Sequence, residues 1–267
     1  WLILSADGVA ARDWFVRPVG GNYGKEDGSS YQNAWDGLKS VVWGTGGVQP
    51  GDTLYICGLH LRTRTGGSAW EIFTPGISGT GKDSRIIIRG DYPGDQGIIW
   101  GAGIMAHEAW VDEGNNVWSI TEINTPNHMW YFEDITADSW TVLTSVGSLA
   151  ECEATPGSYY SDSAFIGGGK FYVHTSDNGD PTGRIAANRL GYFPLLHDNH
   201  YITWLNLKAY CIYRWIDFSG VDGEHATYVT WDSCTLWYGE GYMFLIRNFN
   251  HHLEFINCDL AWAVNAI

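Results

Sequence analysis

The stretches YITWLNLKAY (201–210), YVTWDSCTLW (228–237) and LEFINCDLAW (253–262) repeat one pattern three times. Apolar residues alternate with polar ones in each stretch, which is the periodicity of a β-strand. The pattern recurs after 27 residues from Ile202 to Val229 and after 24 from Val229 to Leu253, a period typical of solenoid proteins. The five matching columns are Ile202/Val229/Leu253, Trp204/Trp231/Phe255, Asn206/Ser233/Asn257, Leu207/Cys234/Cys258 and Ala209/Leu236/Leu260.

A small polar residue, Asn206, Ser233 or Asn257, divides each stretch into two apolar halves. Residues of this kind favour sharp bends in the backbone. Each repeat is therefore predicted to be a strand, a corner and a second strand. Because the columns match, we expect parallel strands in which every side chain stacks on the same column of the next repeat.

The composition fits a fold with many corners and a wide interior. The 267 residues include 34 glycines, which suit tight turns, and 15 tryptophans. Tryptophan in such excess either stacks inside the solenoid or forms a platform for sugar rings on its surface. We favour the interior for most of them, because Trp204 and Trp231 lie in a column that points inward.

The negative charge is concentrated in the second part of the chain. The net charge is −15; residues 1–100 carry ten acids and nine bases, whereas residues 101–267 carry twenty acids and six bases. We therefore expect no nucleic-acid partner. A polyanionic sugar would also be repelled unless bound calcium or a local basic cluster inverted the field.

The five cysteines, an odd number, match no metal-binding spacing. Cys234 and Cys258 share an inward column, where a thiol serves as a small apolar filler. We prefer that interpretation to a disulfide or a zinc site.

The two ends of the sequence suggest a signal peptide at the start and an uncapped repeat at the end. Residues 1–11, WLILSADGVAA, resemble the end of a signal peptide, with Val9 and Ala11 placed for cleavage before Arg12. We therefore expect a secreted or cell-surface protein, and the absence of an eighteen-residue apolar run predicts no membrane span. The last repeat ends at AVNAI without a cap, which predicts a truncated end or a contact that covers it.

The most specific segment precedes the repeats. It comprises the strand DWFVRP, a glycine-rich loop, the sequence YQNAWDGLKSVV and the turn and strand QPGDTLYICG. Ala34, Leu38, Val41 and Val42 would share one helical face, with Asn33 and Asp36 at the helix start. This order resembles the N-terminal cap of right-handed parallel β-helix proteins of the pectate-lyase-like superfamily. The resemblance implies an all-β, right-handed parallel β-helix (solenoid) with an N-terminal amphipathic cap helix and a β-rich insertion.

The resemblance continues beyond the cap. GKDSRIIIRGDYPGDQGIIW is similar to a first full repeat, and GSYYSD with KFYVHTSDNGDP is similar to a hairpin found before the regular repeats. We predict one domain over 12–267. Its parts are the cap at 12–60, the β-rich insertion at 104–196 and regular repeats at 197–267.

The resemblance implies a polysaccharide partner, most simply a uronic-acid polymer cleaved by a lyase. A lyase needs a base, usually Lys or Arg, and a group that neutralises the uronate, often calcium held by acids. The candidate bases are Lys208, Arg214 and Arg247, and the candidate calcium ligands are Asp217, Asp222 and Glu224. A solvated face with surface ion pairs would produce the same residues.

Two other functions stay open. A glycoside hydrolase on the same scaffold would use carboxylates such as Asp217, Asp232, Glu240 and Asp259, although no paired-carboxylate motif is visible. A non-catalytic carbohydrate-binding or adhesin solenoid would use exterior tryptophans.

Overall fold

The protein is nearly all β. The computed structural model describes residues 10–63, 73–105, 109–121, 130–137, 139–162, 169–188, 199–212, 216–217, 226–239, 244–245 and 251–261. Within these ranges the only α-helix is α1 (Leu149–Ala154). No described helix has the length and hydropathy to cross a membrane. The predicted signal segment falls outside the described residues except for its last two positions, 10 and 11.

Most repeats contribute a strand to one long parallel sheet, the first sheet. Its seven strands pair in parallel from end to end. In spatial order they are β2 (Trp35–Asp36), β1 (Asp13–Arg17), β3 (Thr53–Ile56), β5 (Ile86–Arg89), β15 (His200–Leu205), β18 (Thr227–Asp232) and β21 (His251–Ile256).

The second strand of each repeat lies in a second sheet. Its parallel strands are β4 (Leu59–Thr63), β6 (Ile98–Ile104), β16 (Lys208–Tyr210), β19 (Thr235–Trp237) and β22 (Asp259–Ala261). Three antiparallel strands extend this sheet: β9 (Tyr131–Glu133), β10 (Thr141–Val142) and β14 (Ile185–Asn188). A further parallel pair is β17 (Ile216–Asp217) and β20 (Phe244–Leu245).

The register confirms the columns expected from the sequence. Ile202 lies opposite Val229 and Trp204 opposite Trp231; Leu253 and Phe255 continue both columns. Trp204 and Trp231 are each 1% exposed, so they are interior residues. Burying each of these large side chains stabilises the core by about 1.5–3 kcal/mol.

The corners between the two sheets have a left-handed backbone. Asn206, Ser233 and Asn257 have φ values of 50°, 55° and 51°, respectively. The small polar residues at these positions predict such corners. Asn tolerates this conformation because its short polar side chain bonds locally, whereas a β-branched residue is strained there. Cys234, which follows the second corner, is 1% exposed and packs in the main core cluster. None of the five cysteines, all of which lie in the described ranges, forms a disulfide bond.

The prediction of an amphipathic cap helix over residues 34–42 is wrong. The segment instead contains two 3-10 turns, Tyr31–Asn33 and Leu38–Ser40, around the short strand β2. Gly37 interrupts any helix with a φ of 82°. Trp35 pairs its backbone with Val16 and stacks its ring on Trp14 at 5.2 Å, which draws the segment into the sheet.

Part of the chain between β6 and β14 forms a third sheet, which is antiparallel except for one parallel pair at its edge. Strands β7 (Val111–Gly114), β8 (Val117–Thr121), β13 (Lys170–His174), β12 (Ser158–Ser161) and β11 (Thr144–Ser145) make a five-stranded sheet. The β12–β13 pairing is the hairpin suggested by the resemblance. The fully buried Glu133 accepts a 2.7 Å bond from Arg184, which also binds Asp134 and Asp177, so the loop after β13 is tied to the second sheet.

The last described strands leave apolar side chains exposed. Phe255, Ile256 and Leu260 are 38%, 41% and 44% exposed. Phe255 covers Trp231 with a stacked ring at 4.8 Å. The expectation of a contact that covers this end stays a prediction.

The corner at Ser233 offers a test of the backbone conformation. Ser233→Val should lower the free energy of unfolding by about 1–2 kcal/mol, because valine is strained at positive φ. Ser233→Asn should be close to neutral. Urea unfolding of the three proteins measures the difference, and equal stability for the valine and asparagine variants would contradict a left-handed corner.

His60 in β4 provides a pH-dependent test. The residue is buried and its Nε2 has no partner within the described part of the chain. Burial lowers the pKa of its imidazole from 6.5 to about 4. The unfolded chain therefore binds a proton that the folded chain does not, and stability decreases as the pH falls from 6.5 to 4.

The expected contribution is about 3 kcal/mol, at about 1.4 kcal/mol per pKa unit. Unfolding of the wild type and of His60→Leu should be measured between pH 4 and 7. The variant should lose less stability over that window than the wild type. Parallel pH curves would show that His60 titrates normally.

Candidate functional site

Of the three candidate bases, the structure describes only Lys208. It lies in β16 between Leu207 and Ala209, which are 1% and 0% exposed, and its half-buried side chain lies on the opposite face of the strand. The outward orientation expected from the sequence is therefore confirmed. Arg214 and Arg247 lie outside the described residues.

The candidate calcium ligands are described only at one backbone position. Asp217 belongs to β17 and lies opposite Leu245 of β20, two residues before Arg247 in the sequence. Asp222 and Glu224 lie outside the described residues. Across the described ranges, no group of three or more His, Cys, Asp or Glu could hold a metal ion.

The candidate hydrolase acids are spread over several strands. Asp232 ends β18 in the first sheet and accepts a 2.9 Å bond from the Ser233 hydroxyl. Asp259 begins β22 in the second sheet. Asp232 pairs with Ile256 and Asp259 with Thr235, so the two acids occupy different columns. Glu240 lies outside the described residues.

A group of aromatic rings that the sequence analysis missed covers the outward face of the first sheet near its start. We call it the aromatic strip: Phe15, Tyr31, Tyr55 and Tyr92. Phe15 and Tyr55 are stacked at 5.3 Å, and Tyr31 and Tyr92 at 4.5 Å. The Tyr92 ring meets Phe15 and Tyr55 edge-on at 5.6 and 5.7 Å, which joins the two stacks. All four side chains are half-buried, so each retains exposed surface.

The parallel register assembles this strip. Phe15 and Tyr55 lie opposite one another in β1 and β3 and alternate with buried residues such as Trp14 and Leu54. Tyr92 comes from the corner loop that follows β5, and Tyr31 from the first 3-10 turn. The alternation in DWFVR and TLYI would have revealed two of these residues once the strands were stacked.

Arg17, at the end of β1, borders the strip. Its guanidinium carbon lies 4.2 Å from the ring centroid of Tyr23 and 4.2 Å from that of Tyr31. The side chain is 27% exposed, and Asp95 lies 3.9 Å from its Nε. Stacking on aromatic faces orients a guanidinium while leaving its in-plane N–H groups free to bind.

Tyr31 also holds Asp95. Its hydroxyl donates a 2.7 Å bond to the Asp95 carboxylate. Burial, followed by this bond and the nearby negative charge, raises the pKa of the Tyr31 phenol to about 12. The phenol therefore stays protonated at neutral pH and is poorly suited to act as a general base.

A second arginine, Arg89, borders the strip beside Tyr55 and forms a two-bond ion pair with Asp91. Arg89 donates bonds of 2.6 and 2.7 Å to Asp91, which also accepts a 2.7 Å bond from the Asn206 amide. The bond from Arg89 is the main cause that lowers the pKa of the Asp91 carboxyl. The same bond raises the pKa of Arg89. This network ties the corner loop to the next repeat.

A second aromatic cluster lies against the second sheet. Trp140 approaches Trp100, Tyr210 and Trp237 at 5.2, 5.0 and 6.2 Å. Trp100 is 1% exposed, and Trp140 and Trp237 are half-buried. These rings pack the extended part of the sheet, so part of the tryptophan excess lies outside the column of Trp204 and Trp231.

The aromatic strip is a rigid apolar surface with polar groups at its edge. The rings present flat faces and edges, and Arg17, Arg89, Asp91 and Asp95 supply charged hydrogen-bonding groups around them. Apolar and aromatic surfaces with a few placed polar groups are typical of small-ligand sites. The arrangement suits a ring-shaped ligand that carries both C–H and hydroxyl groups.

Comparison with known proteins gives a likeness in fold. No protein-family model matches the sequence, and no curated protein matches it. Among solved structures, that of XylC in complex with xylose is similar to this chain, with a TM-score of 0.50 and 13% sequence identity. The match covers 84% of this chain and 40% of the XylC chain. At this identity the likeness shows the fold alone.

Proposed function

We propose that the chain is a right-handed parallel β-helix of the pectate-lyase type and that it acts on a polysaccharide outside the cell. The β-helix would follow from closing the stacked strands of the two sheets, and of β17 and β20, into complete turns. An extended polymer suits such a scaffold because parallel strands form a long shallow surface.

The aromatic strip carries the proposal. Sugar rings bind to proteins through C–H groups packed on aromatic faces and through hydroxyls bonded to charged side chains. Phe15, Tyr55 and Tyr92 provide the first, and Arg89 with Asp91 provides the second. The solved structure of similar fold contains xylose, which supports a sugar as the class of ligand.

Polysaccharide binding can be tested at Tyr92. Affinity electrophoresis should be run with a panel of neutral and uronic polymers on the wild type and on Tyr92→Ala. We expect retarded migration of the wild type with at least one polymer and at least fivefold weaker binding of the variant, the effect of losing about 1 kcal/mol of contact energy.

Tyr160→Ala is the matched control, because Tyr160 is a half-buried tyrosine that stacks on Tyr172 in the separate five-stranded sheet. It should bind like the wild type. Equal loss in both variants, or no loss in Tyr92→Ala, would contradict a ligand site on the strip.

A lyase reaction is the second candidate. The pairing of β17 with β20 favours it, because it brings the backbone of Asp217 beside the strand that leads to Arg247. A base, for which Lys208, Arg214 and Arg247 are the candidates, would take the proton beside the uronate carboxylate. The bond to the leaving sugar oxygen would break, a carbon–carbon double bond would form, and the oxygen would gain a proton.

Calcium remains a candidate cofactor of this reaction. Carboxylate oxygens such as those of Asp217, Asp222 and Glu224 are the ligands that calcium prefers. When bound, the ion would neutralise the uronate. Glycoside hydrolysis and non-catalytic binding are the outcomes that compete with the lyase.

Product analysis separates the three functions. The protein should be incubated with uronic polymers in calcium and in chelator, and unsaturated products should be followed by ultraviolet absorbance. We expect absorbance to increase at the same rate with the wild type and with Lys82→Ala. With Arg247→Ala the rate of increase should be at least tenfold lower. New reducing ends without absorbance would identify a hydrolase, and binding without any product would identify a binding protein.

A further inference from the structure

We infer that Arg17 is an anion-binding residue that selects sugars carrying a carboxylate or a sulfate. The inference rests on the proposed function, because it gives the aromatic strip a preferred class of ligand. It also assigns that selectivity to a residue remote in sequence from the candidate lyase residues.

The guanidinium of Arg17 is held in place before any ligand binds. It stands between the rings of Tyr23 and Tyr31, each centroid 4.2 Å from the guanidinium carbon. Both rings are anchored, because the Tyr23 hydroxyl donates a 2.8 Å bond to the Pro18 carbonyl and Tyr31 donates to Asp95. A binding group that is already ordered loses little entropy when a ligand arrives.

The donors of Arg17 are not used within the described part of the chain. Its Nε is buried and has no hydrogen-bond acceptor there. Its ion-pair partner, Asp95, lies 3.9 Å from that nitrogen, beyond hydrogen-bonding distance. Since the Nε atom is closed to solvent, a ligand would approach the guanidinium through the part of the side chain that is exposed, 27% in all.

The Tyr31–Asp95 bond accounts for the long contact between Arg17 and Asp95. By accepting the Tyr31 hydroxyl at 2.7 Å, the Asp95 carboxylate is held away from the guanidinium. Arg89 shows the alternative, since its two 2.6–2.7 Å bonds to Asp91 occupy its fork. The two arginines border one strip, and of the two Arg17 alone makes no hydrogen bond to an acceptor within the described part of the chain.

An oxyanion with two oxygens that can accept parallel N–H bonds fits this arrangement. A guanidinium binds carboxylate with two parallel N–H bonds and binds sulfate in a similar way. Tyr92, stacked on the other face of Tyr31, would lie beside the sugar ring that carries the anion. Because Asp95 remains 3.9 Å away, it opposes the anion, so removing its charge should strengthen binding.

The test compares saccharides that differ only in charge. Calorimetric titration should use three oligosaccharides of equal length, one neutral, one uronic and one sulfated, against the wild type, Arg17→Ala, Arg17→Lys, Asp95→Asn and Lys82→Ala. Lys82→Ala removes an equal charge from an exposed position. Thermal unfolding of each variant confirms that it is folded.

We expect the wild type to prefer at least one anionic ligand to the neutral one by about tenfold or more. Arg17→Ala should abolish that preference, because it should weaken binding of the anionic ligand far more than binding of the neutral one, and Arg17→Lys should retain part of it. Asp95→Asn should bind the anion at least threefold more tightly. A purely structural role of Arg17 would not predict this gain in affinity. The preference of uronic over sulfated sugar, or the reverse, identifies the source of the anion.

An unchanged anion preference in folded Arg17→Ala, or weaker anion binding in Asp95→Asn, would overturn the inference. Equal wild-type binding of neutral and anionic sugars would overturn it while leaving the proposed function intact. Failure of every saccharide to bind the wild type would overturn both.

Discussion

The register of the parallel strands is the constraint on which the rest of the structure depends. Each inward residue stacks on its counterpart in the next repeat, as Trp204 does on Trp231 and Ile202 on Val229. Because strand side chains alternate, a slip by one residue would turn these side chains outward. The left-handed corners at Asn206, Ser233 and Asn257 connect the two strands of each repeat.

The same register organises the surface. Outward residues of successive strands become neighbours without being close in sequence, which places Phe15 beside Tyr55. The loop after β5 then adds Tyr92, Asp91 and Asp95, and its network with Asn206 reaches the next repeat. The aromatic strip is therefore a consequence of the stacking.

Some of this could be predicted from the sequence and some could not. The columns, the polar corners and the outward position of Lys208 followed from alternation and repeat spacing, which are local properties. The prediction of a cap helix was wrong, because the apolar spacing over 34–42 fits both a helix and a segment that pairs with β1. The positive φ of Gly37 and the stacking of Trp35 on Trp14 decide between the two. The aromatic strip was missed because its rings come from four separate segments that only the folded sheet brings together.

The stacking register can be measured directly by a cross-link on the outward face. Thr230 and Glu254 are partners in β18 and β21, and their side chains are 3.2 Å apart. Adjacent parallel strands lie within the span of a disulfide, so Thr230→Cys with Glu254→Cys should form an intramolecular bridge under mild oxidation, detected by mass spectrometry of the linked peptides. The control pair Thr230→Cys with Phe255→Cys, whose side chains lie on opposite faces, should stay unlinked. Linkage of the control pair, with none between 230 and 254, would contradict the register and the account built on it.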